Sequence, residues 1–521
     1  MLPDHWSTDG RVAGLQQLDS HDWDIVIIGG GISGAGLLFE ATRRGYKALL
    51  LEKDDFASGS SSQSSKLVHG GIRYLASGQF TLTREAVKAR EKLCQQLPGL
   101  VNHLPMIMPH YHERPPRRAS FRLLMWCYDA LAGKKHHRNL SNEELQQDAP
   151  LLRSQGCYAA TEFKDALTDD ARLTLRVLLE ANQLGGTAYN YSKVERVENN
   201  GKGYQVYIQA DHFGALHVNC RQVIHATGAW TQTPEGERVP YQVRPLRGSH
   251  LLFSAEKLPL EKGVCLFHPS DQRLMFALPW MGYTLVGTTD LDHQESLDND
   301  VRIQPDEQAY IYKALHHYFP GASLTYDDCI SAWSGVRPVL SDPSDDELRP
   351  SDVAREHKIW HYQGQLYLCG GKLTTFQVMA KDAIDQLDFQ PLNSIPEPWP
   401  ELGANTRNQG SLPVPEALIQ LYGADADQLN EAEPALDKIP ETPHYWAELH
   451  WALRYLAINH LDDLLIRRTR IGLFFSDGGE HLIPELKALC EEYLNWTEQQ
   501  FEKEWDRYQT LHKRFYQPYR K

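Results

Sequence analysis

The 521-residue sequence lacks three features that would assign it to a special structural class. No apolar run approaches the roughly 20 residues that a membrane-spanning helix requires, so we expect any membrane contact to be peripheral. The eight cysteines are scattered and none forms a CxxC pair, so neither a zinc site nor a disulfide framework is indicated, and a reducing cytoplasmic setting fits best. The residues Met1–Asp22 are polar and contain acids, unlike a secretory signal.

An excess of positive charge is also missing. The chain carries 53 basic and 68 acidic residues, for a net charge of -15, which argues against general nucleic-acid binding. Any anion-binding site must therefore be local, and no metal site is predicted. A chain of this length is expected to form two or three domains with ample core.

The most informative segment that is present is Asp24–Gly36, an apolar strand pattern followed by glycines and a helical pattern. Gly29 permits a tight turn, Gly31 lets backbone N–H groups approach a pyrophosphate, and Gly34 lets the helix lie close to the strand. The phosphates would lie at the helix N-terminus, where the dipole favours negative charge. A second apolar strand ends at Glu52, which is placed to accept hydrogen bonds from a ribose. The segment therefore predicts a dinucleotide site.

This pattern alone does not separate FAD from NAD, and glycines can also simply form a tight turn. Further along, Arg221–Trp230 predicts another buried strand that ends in a turn of small residues. Its step Ala226–Gly228 resembles the late strand with which flavoproteins of the two-dinucleotide-binding-domain type contact the adenosine half of FAD. We therefore favour FAD.

A serine-rich segment, Ser58–Leu75, follows the second strand. Such a composition is typical of a solvated linker, but this segment runs without interruption into basic and aromatic residues. Its hydroxyls, with Gly70 and Gly71, would make a suitable lining for phosphates and a flavin ring. The pattern after it predicts a helix from about Thr83 to Gln96.

Five further segments, taken together and in this order, carry a family resemblance. They are Ser64–Tyr74, Arg247–His250, Val286–Asp290, Ser334–Pro338 and Gly370–Thr375. They resemble the FAD-dependent, quinone-linked sn-glycerol-3-phosphate dehydrogenase family, and Asp462–Gly472 is similar to the helical C-terminal domain of that family.

The resemblance implies a fold that is α/β plus α+β: a flavoprotein of the two-dinucleotide-binding-domain, glycine-oxidase-like type. A discontinuous FAD-binding domain would comprise residues 20–90, 165–245 and 330–392. A substrate or cap domain would comprise 91–164 and 246–329, and a helical C-terminal domain 401–521.

The glycine pattern and the resemblance together imply a set of FAD contacts. The set consists of Gly29, Gly31, Ser33, Gly34, Glu52, Ser61, Ser62, Ser65, Lys66, Gly228, Gly371, Thr374 and Thr375. The two threonines follow a glycine pair at a predicted helix start, which would direct backbone donors at one edge of the flavin. An ordinary helix cap would give the same pattern.

A phosphate monoester carries nearly two negative charges, so its anchor should combine several basic groups, with arginine favoured for bidentate contact. By resemblance, Arg73, Tyr74, Arg337 and Arg355 fall at substrate-binding positions of the family. A surface ion pair is the alternative for each arginine. Arg337 lies between a glycine and a proline, where a backbone turn would fix its direction.

Oxidation of a secondary alcohol also needs a group that takes the hydroxyl proton. His69 and His250 are the candidates, because each lies in a motif flanked by glycine or serine and histidine is easily tuned to act as a base near neutral pH. We favour His250. Lys372 would instead stabilise the reduced flavin by placing positive charge near its N1 atom and carbonyl oxygen.

The segment His110–Arg138 differs from the rest of the acidic chain. Seven basic residues against two acidic ones surround an aromatic and aliphatic helical pattern at Phe121–Leu131. Basic flanks around such a helix suit the surface of an anionic bilayer. A buried helix with solvated basic ends is the alternative.

The C-terminal third follows the proline-rich segment Asn393–Pro400 and is helical by pattern. Apolar residues recur at helical spacing in Tyr445–Ala457 and Ile483–Leu494. No chemistry is predicted there, and a structural or dimerising role is the default expectation.

We expect an enzyme that oxidises sn-glycerol 3-phosphate to dihydroxyacetone phosphate, with hydride passing from C2 of the substrate to flavin N5 and electrons passing to membrane quinone. It would lie at the inner face of the cytoplasmic membrane. The alternatives are a glycerol-3-phosphate oxidase that uses oxygen, or a related FAD-dependent oxidoreductase acting on a hydroxy or amino acid. A non-catalytic flavin-binding membrane partner is the alternative of another class.

Overall fold

The computed structural model describes residues 4–72, 75, 78–133, 137–231, 241–299, 301–341, 356–391, 395, 398–404, 414–432 and 436–520. Three predicted substrate-binding residues, Arg73, Tyr74 and Arg355, lie outside these ranges.

The regular elements of the described residues form two sheets with helices around them. The strands are β1 (Asp22–Ile28), β2 (Ala48–Leu51), β3 (Val101–Tyr111), β4 (Arg138–Leu140), β5 (Cys157–Thr168), β6 (Thr187–Tyr189), β7 (Ser192–Asn199), β8 (Tyr204–Ala210), β9 (Gly214–His225), β10 (Gln242–Ser254), β11 (Gly263–Phe267), β12 (Leu274–Trp280), β13 (Tyr283–Gly287), β14 (Leu291–Asp292), β15 (Cys329–Ser341), β16 (His357–Tyr362) and β17 (Gln365–Gly370). The α-helices are α1 (Thr8–Gln17), α2 (Ile32–Arg43), α3 (Phe80–Gln96), α4 (Arg118–Ala132), α5 (Asn142–Asp148), α6 (Asp170–Gln183), α7 (Pro305–Tyr318), α8 (Phe376–Ile384), α9 (Glu416–Tyr422), α10 (Ala426–Ala432), α11 (Trp446–Tyr455), α12 (Ile483–Leu494) and α13 (Glu498–Phe515).

The first sheet has the order β16-β17-β9-β1-β2-β6, and the hairpin β7–β8 joins it at β9. Strand β1 is parallel to both β2 and β9, and its central residues are completely buried. A parallel strand covered on both faces needs a continuous apolar sequence, which explains the unbroken pattern that predicted it. Helices α2, α6 and α8 pack together on this sheet.

The second sheet has the order β14-β10-β13-β12-β11-β3-β5-β4, with β15 paired to β10. The pairing of β15 with β10 is antiparallel and extends over nearly the whole length of both strands. Strand β15 begins at the predicted domain boundary near residue 330 and belongs to the second sheet. The paired residues of β10 and β15 are 76 to 99 positions apart in the chain, so this pairing leaves no local sequence signal.

The C-terminal segment contains α11 and α12, as predicted from the apolar spacing, together with α13 and a π-helical turn at Asp463–Arg468. Helix α3 begins at Phe80, three residues before its predicted start. In the described part of the chain, every helix is too short or too polar to cross a lipid bilayer.

Candidate active site

A cavity of about 1310 Å³ lies between the two sheets. One end is lined by the turn between β1 and α2, and the other by residues of β10, β12 and β15. A cavity that exceeds the usual 300–1,000 Å³ of a small-molecule pocket has room for a dinucleotide together with a small substrate.

The glycine turn forms the first end and is closed by backbone contacts. Gly29 has φ +114°, and a Cβ there would lie 2.5 Å from the carbonyl oxygen of Ala226. A Cβ on Gly34 would lie 1.9 Å from the carbonyl oxygen of Gly29, so Gly34 acts by closing the turn and does not line the cavity. Gly31 and Ser33 do line it, at the N-terminal end of α2.

Glu52 follows β2 directly and lines the cavity beside this turn. Its Oε2 accepts a hydrogen bond from the backbone N–H of Gly30 at 2.5 Å, and its Oε1 accepts one from that of Asp54 at 2.9 Å. Burial raises the pKa of Glu52 to about 7, and the two backbone donors oppose that rise. The carboxyl group therefore titrates near neutral pH.

The serine-rich segment is a wall of the cavity and not a solvated linker. Ser61 Oγ accepts a hydrogen bond from the backbone N–H of Ile32 at 2.9 Å, and Ser65 also lines the cavity. The side chains of Ser62 and Lys66, predicted to contact FAD, are placed outside the lining. The fully buried Lys66 instead binds Asp170 Oδ1 at 2.8 Å.

The remaining predicted cofactor residues come from β9 and from the start of α8. Gly228, Gly371 and Thr374 line the cavity, and so does Lys372. Thr375 is buried and lies behind this lining. The predicted helix start is present, because α8 begins at the next residue.

The opposite end of the cavity holds two arginines around one carboxylate. Arg337 donates to Asp290 Oδ1 at 3.2 Å and to Thr288 Oγ1 at 3.1 Å. Arg273 forms an ion pair with the other oxygen of Asp290 and donates to its carbonyl at 3.1 Å. A Cβ on Gly248 would lie 2.5 Å from Arg337 Nη1, so a larger residue there would displace the guanidinium group.

Sequence reasoning missed Arg273. It lies directly before β12, outside every motif that carried the family resemblance, and has no flanking glycine. Its role depends on Asp290, which is supplied by another turn of the same sheet. Arg273 could therefore have been identified only through its ion pair with Asp290, because no local sequence motif marks it.

Both candidate bases line the cavity. His250 is almost fully buried on β10, and its Nε2 lies 2.9 Å from Ser65 Oγ. Burial lowers the pKa of His250 well below its usual value, and the positive charges of Arg337 and Lys66 lower it further. The imidazole is therefore neutral at pH 7. The carbonyl of His69 accepts a hydrogen bond from Thr374 at 3.4 Å.

The residues at the first end fit an FAD. The bare glycine turn allows close approach, the N-terminus of α2 faces the cavity, and Glu52 lies at the end of the second strand, as in dinucleotide sites generally. Arg273 and Arg337 line the same cavity as this turn.

Comparison with known proteins agrees with this geometry. Residues 24–385 match the family model described as FAD dependent oxidoreductase. Residues 366–501 match the model described as C-terminal domain of alpha-glycerophosphate oxidase.

Among curated proteins, the chain is 30% identical to aerobic glycerol-3-phosphate dehydrogenase of Staphylococcus haemolyticus over 95% of both chains. It is 34% identical to the aerobic glycerol-3-phosphate dehydrogenase of Bacillus subtilis, covering 74% of this chain and 70% of that protein. Among solved structures, glycerol-3-phosphate dehydrogenase from Bacillus halodurans complexed with FAD aligns with a TM-score of 0.75 at 25% identity, covering 98% of both chains. The predicted fold class is thereby confirmed.

Proposed function

The chain belongs to the FAD-dependent glycerol-3-phosphate dehydrogenase family, and we propose that it oxidises sn-glycerol 3-phosphate to dihydroxyacetone phosphate and passes the electrons to a membrane quinone. The observation that carries the proposal is a single cavity with a dinucleotide turn at one end and two arginines at the other. FAD, when bound, supplies the acceptor for the two electrons that leave the carbinol carbon.

The phosphate of the substrate is proposed to bind at Arg273 and Arg337. Two guanidinium groups around one carboxylate leave an excess positive charge in a chain that is acidic overall. Guanidinium groups bind phosphate oxygens in a bidentate manner, and the ion pairs with Asp290 hold both groups in place. Arg73, Tyr74 and Arg355 remain predictions for the same role.

His250 is proposed to take the hydroxyl proton. A general base must be unprotonated at the working pH, and burial with two neighbouring cations keeps this imidazole neutral, although the same lowered pKa makes it a weaker base than free imidazole. The contact with Ser65 holds the ring in one orientation. His69 is the second candidate, and Lys372, which lines the same cavity, is proposed to stabilise negative charge on the reduced cofactor.

The test is an anaerobic titration of the purified holoenzyme. Addition of glycerol 3-phosphate should bleach the visible flavin absorbance, and glycerol should not, because it lacks the phosphate. A yellow protein that glycerol 3-phosphate fails to bleach would contradict the proposal and support the non-catalytic alternative.

The electron acceptor is tested in the second half of the same experiment. The reduced protein is mixed with oxygen or with a soluble quinone analogue, and the return of flavin absorbance is timed. A dehydrogenase is reoxidised faster by the quinone. Faster reoxidation by oxygen would favour the oxidase, the alternative suggested by the name of the matching C-terminal family model.

We further propose that α4 contacts the inner face of the cytoplasmic membrane. Leu123 and Trp126 on this helix are 66% and 68% exposed, whereas Phe121, Met125 and Tyr128 are buried. The basic residues that precede and follow the exposed face suit anionic headgroups, and exposed tryptophan is typical of the bilayer interface. The buried-helix alternative accounts for one face of α4 and leaves the other unexplained.

A further inference from the structure

Three arginines of the C-terminal domain are buried against carboxylates of the FAD-binding domain. Arg467, Arg468 and Arg470 lie in and just after the π-helical turn. Their partners outside that domain are Asp55, Asp169 and Asp170, and each of these six side chains is at least nine-tenths buried. We call this set the interdomain ion cluster.

Two arginines of the cluster form ion pairs with the loop that follows Glu52. Arg468 donates to Asp55 Oδ1 at 2.8 Å, and Arg467 donates to Oδ2 at 2.5 Å. Asp55 also accepts a hydrogen bond from the side chain of Asn190 at 2.9 Å. Burial opposes ionisation of Asp55, but the two guanidinium groups outweigh it and hold its pKa well below the usual range.

The rest of the cluster forms hydrogen bonds with the backbone of the serine-rich segment. Arg470 donates to Asp169 Oδ1 at 2.7 Å and to the carbonyl of Ser62 at 3.2 Å. Asp170, which also pairs with Arg470, accepts a hydrogen bond from the backbone N–H of Ser64 at 2.9 Å. Lys66 donates to the same Ser62 carbonyl at 2.6 Å. The segment is therefore tied to the C-terminal domain through its backbone.

The backbone conformation at both sides of this contact is unusual. Lys66 and Arg470 each have φ +63°, in the left-handed region that side chains other than glycine rarely adopt. Such conformations persist where surrounding contacts determine them, and they are concentrated at functional sites. Both residues meet at Asp170, so the contacts that hold them are those of the cluster.

Burying this many charges contributes little net stability to the folded state. Desolvation of ions offsets much of their attraction, and apolar packing of the same volume is often equally stable. The segment that the cluster holds, however, begins directly after Glu52 and contributes Ser61 and Ser65 to the cavity lining. We infer that Arg467, Arg468 and Arg470 are positioning residues, through which the C-terminal domain fixes the FAD-binding loop for the cofactor.

The inference rests on the cavity being the FAD site and on no other part of the proposed function. It is tested in the full-length protein with Arg470→Met, Arg470→Lys and Arg468→Lys. The control is Lys487→Met, which breaks an ion pair with Glu498 inside the C-terminal domain and touches no part of the FAD-binding loop.

Three quantities are measured for each protein: the FAD dissociation constant by flavin fluorescence, the visible circular dichroism of bound FAD, and the unfolding temperature of FAD-free protein. We expect Arg470→Met to raise the dissociation constant at least about tenfold, as loss of a charged hydrogen-bond partner predicts. The lysine variants should fall between it and the unaltered protein, because lysine keeps the charge but cannot reach all partners at once. The dichroism should change in all three variants, and the control should retain both FAD properties.

An unchanged dissociation constant and an unchanged dichroism spectrum, with only the unfolding temperature lowered, would overturn the inference. If Arg470→Met does not fold, the dissociation constants and dichroism spectra of the two lysine variants test the positioning role. The readout needs no substrate, so failure of the proposed substrate and failure of the positioning role are separate results.

Discussion

At the scale of single residues, Asp290 organises the end of the cavity that we propose binds the substrate phosphate. Its two carboxylate oxygens pair with Arg337 and Arg273, which come from β15 and from the residue before β12. The side chain of Asp290 is almost completely buried, so the carboxylate that pairs with both arginines lies inside the protein and is not exposed to solvent. Because Asp290 holds both guanidinium groups, the proposed binding of phosphate would require little reorganisation of these side chains.

Replacing Arg273 by methionine should raise the KM for glycerol 3-phosphate about 10- to 100-fold, because a charged hydrogen-bond partner of the proposed phosphate site is lost. Steady-state kinetics with a quinone analogue would measure it. The control is Arg244→Met, which breaks a comparable ion pair with Asp292 on the same sheet, outside the cavity lining. Equal KM values for the two variants would contradict a role for Arg273 in substrate binding.

His250 offers a direct test of the proton acceptor. Replacement by glutamine should slow anaerobic flavin bleaching at least about 100-fold, the usual contribution of a general base. Because the pKa of His250 is lowered well below its usual value, the group stays neutral between pH 8 and pH 6 and should not impose an acidic limb there. Stopped-flow absorbance gives both results. His268→Gln, at a buried histidine outside the cavity lining, is the control and should bleach normally.

Glu52 should make FAD binding depend on pH. Ribose hydroxyls donate best to the ionised carboxylate, and with a pKa of about 7 that form increases as pH rises from 6 to 8. The FAD dissociation constant should therefore fall with rising pH, by up to about tenfold per unit below the pKa. Fluorescence titration of FAD-free protein measures the slope.

The same raised pKa affects folding with the opposite sign. A carboxyl whose pKa is raised on folding loses favourable protonation as pH rises from its ordinary 4.5 towards 7, so this group makes the FAD-free protein less stable at pH 7 than at pH 5.

The variant Glu52→Gln tests the predicted pH dependence of FAD binding and should flatten it. A slope retained in that variant would assign the titration to another group.

At the scale of elements, α4 shows how one helix meets two environments. It begins after Arg117, ends at Gly133 with φ +68°, and buries Tyr128 against the core. Its opposite face carries exposed Trp126 and Leu123. The aliphatic and aromatic pattern predicted the helix, but the sequence could not decide which apolar residues would be covered.

Charge reversal at Arg117 and Arg118 should weaken sedimentation with vesicles that contain anionic lipid, by about tenfold or more, since each basic residue near such a surface contributes about 1 kcal/mol. Trp126→Ser should weaken it too, through loss of apolar burial. Lys503→Glu and Val12→Ser, at exposed positions of other helices, are the controls. Equal binding by all variants would remove α4 from the membrane contact.

At the scale of the whole molecule, the cavity is lined by residues of both sheets and of the segments that join their strands. FAD bound there would contact segments that are distant in sequence, including the turn at Gly29 and the start of α8. A ligand that binds only the folded state stabilises it in proportion to the logarithm of its concentration over its dissociation constant.

Removal of FAD should therefore destabilise the whole molecule. At 100 times the dissociation constant, FAD contributes about 2.7 kcal/mol to the free energy of unfolding, and the unfolding temperature should rise with FAD concentration. Differential scanning calorimetry of FAD-free protein at several FAD concentrations measures the effect, with AMP as the control ligand. An unfolding temperature that does not respond to FAD would contradict cofactor binding at this site.

The local patterns of the sequence determined much of this protein. The turn around Gly29, the acid at Glu52 and the apolar spacing of α11 and α12 each depend on residues close together in the chain. Backbone conformation and the periodicity of burial are local properties, so the sequence predicted the dinucleotide turn and the C-terminal helices directly.

Only the tertiary structure decided the rest, because those features depend on partners far apart in the chain. It placed Arg273 beside Asp290, turned Lys66 away from the cavity towards Asp170, and assigned β15 to the second sheet. It also brought Arg470 onto the serine-rich segment across about 400 residues. An ion pair or a strand pairing forms only when folding brings both members together, so neither member alone carries its signal.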